Sequence, residues 1–341
     1  MNRPQPRLTR RWDVSIPDHV IALGWSPTGR WLAAAAVSGP VIVVDASTGQ
    51  VARQLTGHGF GTTALSWSPD GNRLATAGQD GLVRLWDPAE GRELATCAGG
   101  AAWVEQVLWH PTRDVFASAA GKKLRLWSGD GQPLRALADQ ASTIADLAWR
   151  PRSAELAVAA YGGVTRWSLE TESDQPIAHL AWKGSILKLA WSPDGKQLAH
   201  GNQDATVHFW EIATGEELQM AGYPLKVREL CWDPTGTYLA TSGADEVTVW
   251  DCTPPGPEGS TPLTFPGHTA PVSALAYQAK GLLLASGGED GRVHLFQPGK
   301  FRKSLAVSRL ETPIARLAWS PDDRLLAAGT DSGQVVIYTT R

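Results

Sequence analysis

The chain has 341 residues with 31 basic and 34 acidic side chains, a formal net charge of −3 that gives no electrostatic case for nucleic acid or an anionic membrane as partner. Its three cysteines, Cys97, Cys231 and Cys252, share no metal or disulfide spacing, and their odd number fits a reducing compartment. No apolar run approaches the ~18 residues of a membrane span, and the opening MNRPQPRLTRRWD lacks the apolar core of a secretory signal, so the expectation is a cytoplasmic protein.

In chain order, residues 1–7 read as a short N-terminal tail and Leu8–Ser15 (LTRRWDVS) as a strand. A single pattern then recurs. Its clearest form is LSWSPDGNRLATAGQDGLVRLWD (Leu65–Asp87), repeated closely from Leu189, Leu230, Leu275 and Leu317 and more weakly from Leu23, Val107 and Leu147. The eight motifs thus start near residues 23, 65, 107, 147, 189, 230, 275 and 317. Their opening aromatics are Trp25, Trp67, Trp109, Trp149, Trp191, Trp232, Tyr277 and Trp319, spaced by 42, 42, 40, 42, 41, 45 and 42 residues.

Within the second copy, Thr63–Ser68 is an alternating run and Ser68-Pro-Asp-Gly71 a turn, with Pro presetting one φ and Gly admitting a positive one. Leu74–Ala77 is a second run, Asp80-Gly81 a hairpin signal, and a third run ends at Trp86-Asp87. A more variable fourth run covers Glu93–Cys97. A four-stranded meander with one apolar face cannot bury itself alone, so the copies must stack. A period in the low forties with this content is the mark of a propeller blade.

These copies resemble WD repeats, the motif named for a terminal Trp-Asp, here Trp86-Asp87 and Trp250-Asp251; the resemblance runs from about Leu8 to Arg341. It implies an all-β, eight-bladed β-propeller over residues 8–341, with four antiparallel strands per blade. The pattern departs at the terminal pair in the other six copies, and the family's Gly-His survives only as Gly57-His58 and Gly267-His268. Leu8–Ser15 looks like a fourth strand with no copy before it, and the last copy stops after its third strand. The N-terminal strand is therefore expected to join the last blade beside Val335–Tyr338.

The resemblance also implies roles for single residues. His58, Thr76, Asp80 and Trp86 stand at the family's positions for a structural hydrogen-bond tetrad. A His-Asp-hydroxyl triple also suggests hydrolase chemistry. It recurs in part as His268, Ser286 and Asp290, however, and no oxyanion-type loop accompanies Thr76. The third and fourth copies lack the hairpin Asp, reading AAGKK (Ala119–Lys123) and AYGG (Ala160–Gly163), and a proline-rich linker spans Thr253–Pro262.

Residues shared among copies hold a blade, so unshared large residues call for another reason. Trp103 lies six residues before its motif aromatic, where other copies carry His19, Gly61, Thr143, Ser185, Lys226, Pro271 and Pro313. In WD propellers this slot, the one two residues on and the residue before the turn Asp ring the top of the channel and bind partners. Carried over, that ring includes Trp103, Glu105, Leu187, Lys226, Arg228, Ile21, His19, Gln79, Gln203 and Glu289. Trp182 stands at the lost Gly-His position of blade five and Tyr161 at the lost turn Asp of blade four. The expected function is a non-catalytic, monomeric scaffold. It would bind a protein or peptide through Trp103, Glu105, Tyr161, Trp182, Leu187, Lys226 and Arg228, with no cofactor, metal, nucleic acid or membrane involved. The alternatives are a small-molecule or enzymatic site in the channel, and a regulatory sensor module. The eight histidines form no close metal motif, although His200 and His208 face each other across one hairpin; no nucleotide-binding or G-x-S-x-G signature is present.

Overall fold

Each of the eight copies folds into one four-stranded antiparallel sheet in the computed structural model, which describes residues 6–101, 103–253, 256–257 and 259–340. Met1–Gln5 of the expected tail, and Pro254, Pro255 and Glu258 of the proline-rich linker, lie outside the described residues. The fold is an eight-bladed β-propeller, and its strands are named here a to d within each blade, in hydrogen-bonded order. In blade two they are Thr62–Trp67, Leu74–Gly78, Leu82–Asp87 and Arg92–Ala98. Register follows the meander: Leu74 pairs with both Trp67 and Trp86, and Val83 with Ala77 and Cys97.

The burial gradient explains the composition of each strand. Strand b is covered on both faces; all five residues of Leu74–Gly78 and all six of Trp31–Ala36 are buried. Two covered faces leave room mainly for small side chains, hence LATAG and WLAAAA. Strand d alternates instead, as in Arg92–Ala98, because one of its faces meets water. Contiguous cores form between adjacent blades. Ala75, Val83 and Leu85 of blade two pack with Val107, Phe116 and Trp127 of blade three. Ala199, Phe209 and Met220 of blade five pack likewise with Leu230, Trp232 and Leu239 of blade six.

In blades two, four, six and eight the motif aromatic fastens the blade to its predecessor. The indole N–H of Trp67 donates to Gly24 O at 2.9 Å, Trp149 to Leu108 O at 3.2 Å, Trp232 to Ala190 O at 3.2 Å and Trp319 to Ala276 O at 3.0 Å. A large apolar ring with one donor suits this place, burying area while satisfying a strand carbonyl.

The chain divides into two compact units, Ile16–Ile186 and Met1–Ser15 with Leu187–Arg341. The first holds blades one to four. The second holds blades five to eight, and here Leu8–Ser15 is strand d of blade eight, paired antiparallel to strand c (Gln334–Thr340) from Leu8↔Thr340 to Ser15↔Gln334. The chain thus supplies the last blade from both ends, as the sequence leads one to expect. None of the described residues forms a helix long and apolar enough to cross a membrane.

Candidate functional site

Each blade presents its b–c hairpin, and the connector that leads into its strand a, at one end. In blade two that end is locked by a chain of hydrogen bonds. Trp86 Nε1 donates to Thr76 Oγ1 (2.9 Å), Thr76 Oγ1 meets His58 Nε2 (2.9 Å), and His58 Nδ1 meets Asp80 Oδ1 (2.8 Å). One assignment satisfies every group: the Thr76 hydroxyl donates to Nε2 and the neutral imidazole donates from Nδ1 to the carboxylate. Burial favours that neutral form, lowering the His58 pKa despite the nearby Asp80. Burial opposes ionisation of Asp80 as well, yet the bonds from His58 and Arg84 outweigh it and hold its pKa below the usual carboxylate value. Gly78 has no side chain because the His58 ring occupies the space; a Cβ would lie 2.1 Å from the ring. Thr76 and His58 are both buried, so this hydroxyl is closed off from solvent. Blade seven repeats the chain with His268, Ser286 and Asp290. There, against burial, bonds from His268 and the Thr269 and Arg292 amides pull Asp290 down to about 2.

The other blades solve the same problem differently. In blade five, His200 takes the hydroxyl position, accepting from Trp210 Nε1 (3.2 Å) while its Nδ1 meets Asn202 Oδ1 (2.8 Å). It pairs with His208 across the hairpin, the rings stacked 5.2 Å apart, and His208 Nδ1 is bonded to Glu217. Among the described residues no three His, Cys, Asp or Glu side chains form a metal-binding group. In blade three the missing hairpin Asp is replaced from outside the hairpin: Glu105 Oε2 accepts the Gly121 N–H at 2.9 Å. Glu105 therefore braces its own blade. Trp182 is half-buried. Its backbone N–H donates to Gly162 O (3.0 Å) and its indole lies against Gly184, where a Cβ would come within 2.6 Å of Nε1.

Three aromatics at the hairpin ends of blades two to four have no such task. Phe60 is 78% exposed, Tyr161 55% and Trp103 53%. Phe60 stands in the connector Gly57-His58-Gly59-Phe60-Gly61, Trp103 in the next connector, and Tyr161 in the b–c turn of blade four, where its backbone N–H donates to Ser142 Oγ (2.7 Å). Sequence reasoning missed Phe60, although the signal was available: the corresponding residue in Gly267-His268-Thr269-Ala270-Pro271 is a small alanine. In the other unit, Leu187 is half-buried in strand a of blade five (Ile186–Trp191). Lys226 and Arg228 lie in the connector leading into blade six, and neither makes an ion pair among the described residues.

Residues 19–255 match a family model described as the IFT122 first beta-propeller. Residues 259–297 and 303–339 match one described as WD domain, G-beta repeat. Cell division cycle 20.1, cofactor of APC complex, from Arabidopsis thaliana is 29% identical over 194 residues, covering 53% of this chain and 41% of that protein. WD repeat-containing protein 37 of Xenopus tropicalis is 25% identical over 158 residues, 46% of this chain and 31% of that one. Protein HIR1 of Kluyveromyces lactis is 25% identical over 174 residues, 42% and 20% respectively. The chain spans less than half the length of these relatives. The crystal structure of the computationally designed Ika8 protein superposes with a TM-score of 0.81 at 22% identity, covering 95% of this chain and 97% of that one, a likeness of fold.

Proposed function

The chain belongs to the WD-repeat β-propeller family, and from that premise we propose that it is a non-catalytic scaffold whose hairpin ends grip a protein partner. The observation that carries this reading is the set of three exposed aromatics, Phe60, Trp103 and Tyr161, at the hairpin ends of three consecutive blades. Exposed rings cost solvation, whereas buried aromatics are the usual anchors of an interface. In the other unit, Lys226 and Arg228 offer unpaired positive charge at the hairpin end of blade six. The favoured partner is a peptide segment with apolar and acidic residues. The Arabidopsis relative described as a cofactor of the APC complex supports a role within an assembly.

The reading is tested by affinity capture from lysate with wild type, Phe60→Ala/Trp103→Ala/Tyr161→Ala and Trp103→Ala/Lys226→Glu. A protein retained by wild type and lost by both folded variants supports it. The same proteins captured by all three forms would refute it.

A further inference from the structure

We propose that blade six carries a separate pocket for the arginine side chain of a partner protein. In blades two and seven the hairpin carboxylate is consumed by a histidine, Asp80 by His58 at 2.8 Å and Asp290 by His268 at 3.0 Å. Blade six has Tyr223 where those blades have histidine. The Tyr223 ring fills the same space, since a Cβ at Gly243 would lie 2.3 Å from it and one at Gly78 would lie 2.1 Å from His58. Its single hydroxyl is spent at the far end of the ring, on Thr241 Oγ1 (2.8 Å) and the Trp250 indole N–H (2.6 Å). Tyrosine has no second polar atom to offer the hairpin. Asp245, the counterpart of Asp80, is therefore released: it is exposed and makes no hydrogen bond or ion pair among the described residues, and neither does Glu246 beside it.

Where the carboxylate has lost its partner, a cavity of about 270 Å³ opens, walled by Tyr223, Pro224, Trp250 and Pro262 and rimmed by Asp245 and Glu246. No basic residue is among the described residues that line it. The volume falls just short of the ~300–1,000 Å³ of small-molecule sites, a size that favours one inserted side chain. Aromatic walls with two unneutralised carboxylates call for a cation. Guanidinium fits better than ammonium, because its planar fork meets a carboxylate bidentately and its face stacks on a ring.

The test is a titration of the isotope-labelled protein with the blocked tripeptide Ac-Gly-Arg-Gly-NH2, read by amide and indole NMR shifts, with citrulline replacing arginine as control. The arginine peptide is expected to shift Gly222, Gly243, Glu246 and Trp250, and the uncharged citrulline peptide to leave them unmoved. Asp245→Asn/Glu246→Gln, which keeps side-chain shape, should weaken binding at least ~10-fold, the scale of losing a charge-assisted hydrogen bond. Tyr223→His should weaken it similarly by recapturing Asp245, with Glu311→Gln as a control at an exposed carboxylate in the connector into blade eight, outside the cavity lining. No shift with the arginine peptide, equal shifts with citrulline, or undiminished binding by either pocket variant would overturn the proposal.

Discussion

Three donors converge on the Asp80 carboxylate: the His58 imidazole at 2.8 Å, the Leu82 amide at 3.2 Å and the Arg84 guanidinium at 3.2 Å. Removing it leaves the His58 Nδ1–H buried without an acceptor. Asp80→Ala is therefore expected to cost about 2–3 kcal/mol in denaturant unfolding with an unchanged slope. The histidines add a dependence on pH. Burial holds His200 at about 3 and His294 at about 4, against 6.5 when unfolded. A folded pKa below the unfolded one means that the unfolded chain gains protons first as pH falls. Stability is full above pH 6.5 and is lost as pH drops from there through about 4 for His294 and about 3 for His200. Melting temperature should accordingly fall between pH 7 and pH 5, and His200→Gln/His294→Gln should flatten that fall. At this scale shared letters were readable, since a residue needed in many blades recurs. Phe60 is legible only when the second copy is set against the seventh, where Ala270 stands in its place. The Glu105–Gly121 bond and the packing of Trp182 on Gly184 were not legible, because nothing in one copy's letters reveals which neighbouring turn lacks a cap.

The turn between strands a and b shows how an element tolerates a changed residue. Gly71 and Gly195 both take φ +72°, the left-handed conformation that glycine adopts without penalty. In blade eight the same slot holds Asp323 at φ +61°. Its carboxylate accepts the amides of Ala279, Lys280 and Gly281 at 2.7, 2.9 and 2.8 Å, tying blade seven's turn to blade eight. Asp323→Ala keeps the strain and loses all three bonds, so a loss of about 2 kcal/mol is expected. Asp323→Gly should lose less, because the backbone strain is relieved. A differential unfolding measurement on the pair checks both. The turn itself was legible from Ser-Pro-Asp; its grip on the preceding blade was not, since that depends on a contact 42 to 44 residues away in sequence.

For the whole molecule, the constant period gave away the architecture: within each compact unit a blade buries its face on the next, so one copy's pattern constrains its neighbours. The pairing of Leu8–Ser15 with Gln334–Thr340 follows from the same logic, as blade eight lacks a fourth strand of its own. A chain beginning at Ile16 should melt at least ~10 °C lower, because it exposes an unpaired edge and uncovers Tyr338 and its neighbours. A synthetic Pro6–Ser15 peptide added in trans should recover part of that loss by strand addition. The recognition surface was less legible than the fold, since an interface is made of whatever the blades do not share.

The central claim separates residues that hold the blades from residues that recognise a partner, and one paired measurement addresses it. Melting temperature and affinity for the captured partner would be determined for Asp80→Ala and for Phe60→Ala/Trp103→Ala/Tyr161→Ala. The prediction is a crossed outcome: Asp80→Ala lowers melting and keeps affinity, while the aromatic variant keeps melting and loses affinity at least ~100-fold. An aromatic variant that melts early, or that binds as wild type does, would contradict it.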